Sequence, residues 1–138
     1  MPPAGSAGDP KAGRAEESPP TEAAAALLEA GRRSYAAGAW RDAYASLTEA
    51  DSASPLAAAD LELLATSASM LGRQGEWTSI VERAHHSYLD SGNTLRAVRC
   101  AFWIGVRLAR AGEIGRATGW LARAQRLLER EEDRKSVV

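Results

Sequence analysis

No segment of this chain shows sustained alternation of apolar and polar residues, so the pattern predicts no β-sheet. Between breaks that contain Gly or Pro, the chain instead reads as helices. Thr21 is the expected cap of the first helix, and Pro55 is expected in the first turn of the third. The pattern predicts six helices in three pairs: 21–37 with 40–52, 55–72 with 76–91, and 93–111 with 113–131.

Three glycines spaced 37 residues apart, Gly38, Gly75 and Gly112, indicate an internal repeat. Each is expected near the turn between the two helices of a pair, where glycine tolerates positive φ. A fixed period of this size predicts a stacked array of helical pairs. Small residues recur seven positions before and twelve positions after each glycine, which predicts close helix packing: Gly31, Ala68 and Gly105, then Ala50, Ser87 and Ala124.

The same pattern divides the chain into five parts. Residues 1–20 contain five Pro and three Gly and predict a disordered N-terminal tail. The three repeats are expected at about 21–54, 55–92 and 93–131, and residues 132–138 are expected to form a charged C-terminal tail.

The repeat columns resemble the tetratricopeptide repeat. The first copy carries the resemblance through Gly31, Gly38, Trp40, Ala43, Leu47, Ala50 and Pro55. The second copy departs from it, with Ile80, Ala84 and Ser87 where Ala, a large apolar residue and Ala are expected, and the period is three residues longer than the usual 34. The resemblance implies an all-α, right-handed α-solenoid of three helix-turn-helix repeats.

The third repeat also resembles the repeats of LuxR-type bacterial transcriptional regulators. The resemblance lies in two runs, Arg99 to Gly105 (RCAFWIG) and Gly119 to Ala124 (GWLARA). It implies a bacterial regulatory protein. Since no helix-turn-helix candidate follows residue 131, DNA binding is not carried over to this chain.

The net charge of −1 conceals an asymmetry along the chain. Residues 21–94 carry 5 basic and 10 acidic side chains, whereas residues 95–131 carry 8 basic and 3 acidic. Because the acidic repeats cancel the basic one, direct nucleic-acid binding is not expected. One Cys, no hydrophobic leader and no membrane-length apolar run favour a cytoplasmic protein without a membrane partner.

The sharpest candidate surface is an arginine-rich stripe on the first helix of the third repeat. Its residues recur at intervals of three or four: Arg96, Arg99, Trp103, Arg107 and Arg110. Guanidinium groups beside an aromatic ring suit an acidic peptide. The alternative is a solvated helix face. By the repeat resemblance, the concave groove that would bind a partner includes Arg32, Tyr35, Arg73, Arg99, Phe102, Trp103 and Arg110.

A second candidate surface lies on the last helix. Gly115, Gly119 and Trp120 are expected to form a docking face for a following helix or for a second copy of the chain, giving a homodimer. The alternative is that the charged tail caps the array.

No catalytic or metal-binding pattern emerges from the sequence. His85 and His86 are adjacent, whereas metal pairs on a helix favour i, i+4 spacing, so we expect an exposed surface dipeptide. Cys100 lies between small residues and is expected in the core. We therefore expect no enzyme activity and no cofactor.

The sequence thus predicts a non-catalytic protein–protein interaction module that binds a peptide or partner domain in the concave groove. Two alternatives stay open. One is a structural segment that docks or self-associates and has no ligand of its own. The other is a small-molecule-sensing repeat domain.

Overall fold

A computed structural model describes residues 21–136, with side chains described to residue 135. Every regular element in this range is an α-helix, which confirms the all-α class. The predicted N-terminal tail lies outside the described residues, as do residues 137–138. The six helices are α1 (Glu22–Ala36), α2 (Trp40–Ala53), α3 (Ala58–Met70), α4 (Gln74–Asp90), α5 (Thr94–Arg110) and α6 (Ile114–Ser136).

The helix ends confirm one predicted cap and correct two boundaries. The hydroxyl of Thr21 accepts a hydrogen bond from the backbone N–H of Ala24 at 3.1 Å, as the cap prediction requires. Pro55 was wrongly expected inside α3, which begins three residues later at Ala58. Helix α6 ends at Ser136 rather than at 131, so most of the predicted charged tail is helical.

The turns within the pairs correct the predicted 37-residue period. Gly38 and Gly112 adopt positive φ angles of 75° and 85°, as expected. Gly75, however, lies inside α4, and the turn residue of the second pair is Gly72, with φ of 83°. One backbone hydrogen bond recurs across the three turns: Ala39 N–H to Ser34 O, Arg73 N–H to Ala68 O, and Glu113 N–H to Leu108 O. Equivalent positions are therefore 34 residues apart between the first two pairs and 40 apart between the last two.

Aligning the helical pairs on their turns changes which residues of the second pair correspond to those of the first. Val81 and Ala84 now take the places that Leu47 and Ala50 occupy in the first pair, and all four side chains are buried. Under a period of 37, the second pair seemed to lack a large and a small residue at these places. Aligned on the turns, Val81 and Ala84 provide them.

Each helix packs against the next one along the chain, and α1 also contacts α3. Within the first and third pairs the closest approach is over a glycine. A Cβ built on Gly31 would lie 2.7 Å from Leu47 Cγ, and one built on Gly105 would lie 2.7 Å from Leu121 Cγ. The predicted close contact at these two small residues is thus present. In the second pair the corrected register places Ala65, which is also buried, at this position.

Candidate partner-binding surfaces

Two of the predicted groove arginines bind carboxylates of the neighbouring pair. Arg32 donates from Nε and Nη2 to the two carboxylate oxygens of Asp60 at 3.0 and 2.9 Å, and Asp60 is buried. Nη2 of Arg99 lies 3.0 Å from both carboxylate oxygens of Glu62. These guanidinium groups hold adjacent pairs together, so a partner would have to compete with an existing ion pair to reach them.

Two other predicted groove residues lie around the first turn and the start of α4. Nη1 of Arg73 pairs with Glu76 at 3.2 Å, and its guanidinium lies 4.8 Å from the ring centroid of Tyr44. Tyr35 is half-buried and meets the ring of Trp40 edge-on at 5.4 Å. Both residues are therefore engaged in contacts within the fold.

The aromatic pair on α5 is the most exposed part of the predicted site. Phe102 is 45% exposed and Trp103 is 47% exposed, with their ring centroids 5.3 Å apart. Trp103 lines a shallow pocket of about 200 Å³ together with Glu62 and Arg99. Phe102 instead lines a groove between α5 and α6. Trp103 therefore borders the pocket beside Glu62, and Phe102 borders the neighbouring groove between α5 and α6.

Arg110 lies in a larger cleft of about 620 Å³, where the C-terminal end of α5 meets the N-terminal parts of α4 and α6. Its neighbour Arg107 lies with its guanidinium 3.8 Å from the ring centroid of Trp77 and donates to Ser69 Oγ at 2.9 Å. Burial lowers the pKa of Arg107, with the charge of Arg110 as a smaller cause. The cleft therefore combines three cationic side chains: Arg107, which is fixed by the ring beneath it, Arg110, and Arg116, which pairs with Glu113.

The groove between α5 and α6 is a surface that the sequence reasoning missed. Its volume is about 530 Å³, and its exposed apolar side chains are Leu95, Phe102, Leu121 and Leu128. A signal for it was present in the sequence. Leu95, Val98 and Phe102 recur at three- and four-residue spacing on one face of α5, beside the face that α5 buries in the core.

The predicted docking face on α6 is only partly open. Gly115 and Gly119 are exposed, with open space where a Cβ would stand. Trp120 is half-buried, and its ring meets the ring of His85 edge-on at 5.3 Å. The indole therefore packs partly inward, against α4.

His85 corrects the expectation of an exposed histidine pair. Its side chain is fully buried, whereas His86 is exposed. Nδ1 of His85 lies 2.8 Å from the carbonyl oxygen of Ala97, so this nitrogen carries the proton and donates. Nε2 of His85 is buried and has no hydrogen-bond partner among the described residues. Burial is also the main reason why the pKa of His85 is lowered.

The single cysteine lies in the core, as predicted. Cys100 is buried, and burial raises the pKa of its thiol to about 11. Within residues 21–135, no group of three His, Cys, Asp or Glu side chains is placed to hold a metal ion. The part of the chain that the structure describes also contains no helix of the length and apolarity needed to cross a lipid bilayer.

A scan against protein-family models, a search of curated proteins and a search of solved structures each found no match to this chain. The resemblances to the tetratricopeptide repeat and to LuxR-type regulators therefore stay predictions from the sequence.

Proposed function

We propose that this chain is a non-catalytic protein–protein interaction module that binds an acidic peptide or partner domain on the surface of α5. The observation that carries the proposal is the pair Phe102 and Trp103, two adjacent aromatic side chains that are each almost half exposed. Trp and Arg are enriched among the residues that dominate binding energy, and a partner that covers both rings would gain apolar burial.

The charges beside these rings favour an acidic partner. Residues 95–131 carry 8 basic and 3 acidic side chains. Arg110 makes no hydrogen bond or ion pair within the described residues, so a partner carboxylate can bind it without displacing another. Arg99 already pairs with Glu62 and contributes less. An acidic peptide that contacts Trp103 and reaches Arg110 would bury an exposed aromatic ring and would pair a carboxylate with an arginine.

We further infer that the three helical pairs stack as a right-handed, tetratricopeptide-like solenoid in a cytoplasmic bacterial regulator. The spacing of 34 residues between the first two turns supports this, since it equals the period of that repeat. The contact between α1 and α3 supports it as well, because stacked pairs bring alternate helices together.

Selection from a displayed peptide library tests the binding function. We expect acidic peptides that contain apolar residues to be enriched on the full chain. Trp103→Ala and Arg110→Ala should each weaken the selected peptides at least about tenfold, as expected for truncated interface anchors. Arg126→Ala removes an exposed arginine on α6 and serves as the matched control. Peptides that bind both α5 variants as tightly as the wild type would refute the proposed site.

A further inference from the structure

The apolar groove between α5 and α6 has buried counterparts in the two preceding pairs. Leu121 is 36% exposed, whereas Leu47 and Val81, at the same place in the first and second pairs, are 0% and 5% exposed. Leu128 is 40% exposed, and its counterpart Tyr88 in the second pair is buried. The third pair therefore leaves open a surface that the earlier pairs cover.

The first helix of the following pair covers this surface in the earlier pairs. Helix α3 packs on α2 and also contacts α1, and α5 packs on α4. Backbone groups take part in both contacts. The N–H of Leu56, just before α3, donates to Asp51 of α2 at 3.0 Å, and His85 of α4 donates to the carbonyl of Ala97 in α5 at 2.8 Å. The groove on α5 and α6 is the corresponding surface of the third pair.

Helix α1 is likewise the first helix of a pair, and the described residues leave part of its corresponding face exposed. Ala26 is exposed and Leu27 is half-buried. Their counterparts in α5, Cys100 and Ala101, are buried, because α4 and α6 surround α5. Helix α1 therefore presents, at Ala26, part of the face that α5 uses for packing inside the chain.

Two copies could join groove to groove or head to tail, and the charge distribution favours the head-to-tail contact. Residues 21–94 carry an excess of 5 acidic side chains, and residues 95–131 carry an excess of 5 basic ones. Two α5–α6 grooves facing each other would bring basic surfaces together, which is unfavourable. A head-to-tail contact instead places the basic third pair of one copy on the first pair of the next, whose residues 21–54 carry 5 acidic and 3 basic side chains.

We propose that the groove between α5 and α6 binds helix α1 of a second copy of this chain, in a head-to-tail contact that continues the stacking of pairs. Two copies joined in this way still have one unoccupied groove and one unoccupied α1 face. Association therefore proceeds to a ring or an open filament rather than stopping at a dimer. The contact would cover Phe102, which the proposed peptide site also uses, and it would leave Trp103 and Arg110 open to a peptide.

Sedimentation of the full chain from low to high micromolar concentration tests this proposal. The average mass should rise past that of a dimer, and added salt should weaken the association. Leu128→Glu places a charge inside the apolar groove, and Ala26→Arg places a charge on the face of α1 that would enter it. Each variant should weaken association at least about tenfold. Ile114→Glu changes an apolar side chain that is 60% exposed outside the groove and should associate like the wild type.

A mixture of the two variants gives the decisive result. The intact groove of Ala26→Arg can bind the intact α1 of Leu128→Glu, so the mixture should associate although each variant alone is monomeric. Circular dichroism of each variant confirms that it is folded. A wild type that stays monomeric throughout would overturn the proposal and would assign the groove to a different partner. Association that Leu128→Glu abolishes and Ala26→Arg leaves unchanged would overturn it as well, since that result indicates groove-to-groove pairing.

Discussion

The contact between Gly31 and Leu47 predicts that the first pair cannot accept even one added methyl group at this glycine. A Cβ at Gly31 would lie 2.7 Å from both Cγ and Cδ2 of Leu47 and 3.3 Å from its backbone nitrogen. Leu47 is fully buried, so its side chain cannot turn into solvent to make room. In Gly31→Ala, either the Leu47 side chain must leave its preferred rotamer or α1 and α2 must move apart.

Two opposing effects set the size of the change. Replacing a glycine by alanine inside a helix stabilises it by about 1 kcal/mol. Overpacking a well-filled core costs about 1–3 kcal/mol. Because Leu47 is enclosed on all sides, we expect the cost to fall in the upper part of that range. Gly31→Ala should therefore lower the free energy of unfolding by about 1–2 kcal/mol net.

Urea unfolding of three variants measures this effect against matched controls. Gly119→Ala adds the same methyl group to a helix where nothing lies within 4 Å, so it should raise the free energy of unfolding by up to about 1 kcal/mol. Gly105→Ala meets Leu121, which is partly exposed and can turn outward, so its effect should lie between the other two. If Gly31→Ala stabilises the protein as much as Gly119→Ala does, the packing argument is wrong.

Three further predictions follow from buried polar groups. Because burial lowers the pKa of His85, the unfolded chain binds a proton more readily than the folded protein, and the free energy of unfolding should fall as the pH drops below about 6.5. His85→Gln should reduce this pH dependence, and His86→Gln should keep it, as measured by urea unfolding at several pH values. Cys100, buried and with a thiol pKa of about 11, should react slowly with a thiol reagent at pH 8 and fully once the chain is unfolded. Arg32→Leu should lower the free energy of unfolding by about 1–3 kcal/mol, because it leaves the buried carboxylate of Asp60 unpaired.

Each of these three predictions has a result that would contradict it. A pH profile that is unchanged in His85→Gln would show that another group causes the acid sensitivity. Rapid modification of Cys100 in the folded protein would contradict its burial. The double variant Arg32→Leu with Asp60→Leu should recover part of the lost stability, and equal losses in the single and double variants would mean that the ion pair is not the cause.

The sequence predicted the helices well but misplaced the register of the second pair. The three turns are 34 and 40 residues apart, and the predicted period of 37 is the mean of these distances, so a glycine lay at the expected position by coincidence. Gly72 and Gly75 are only three residues apart, and composition alone does not tell which one turns the chain. The departures of the second copy from the repeat pattern, now explained by Val81 and Ala84, were the signal that the register was shifted.

The residue types of the candidate site could be predicted from the sequence. The ion pairs that its arginines form could not. The arginine stripe and the exposed rings follow from helical spacing within α5. The partners of Arg99 and Arg32 are carboxylates 37 and 28 residues distant along the chain, which helical spacing within α5 or α1 does not connect. The adjacent spacing of His85 and His86 argued against a metal pair and predicted a surface dipeptide, which holds for His86 and is wrong for His85. Its burial depends on a backbone carbonyl that α5 supplies.

The central claim, that partners bind on α5, is tested most directly by the indole N–H signals of the four tryptophans in an NMR titration with a selected acidic peptide. Trp103 is exposed on α5, Trp77 is buried, and Trp40 lies in the first pair, so the signals report on separate places. The account predicts that the Trp103 signal shifts with peptide concentration while that of Trp40 stays in place. A shift of Trp40 with an unchanged Trp103 signal would contradict it.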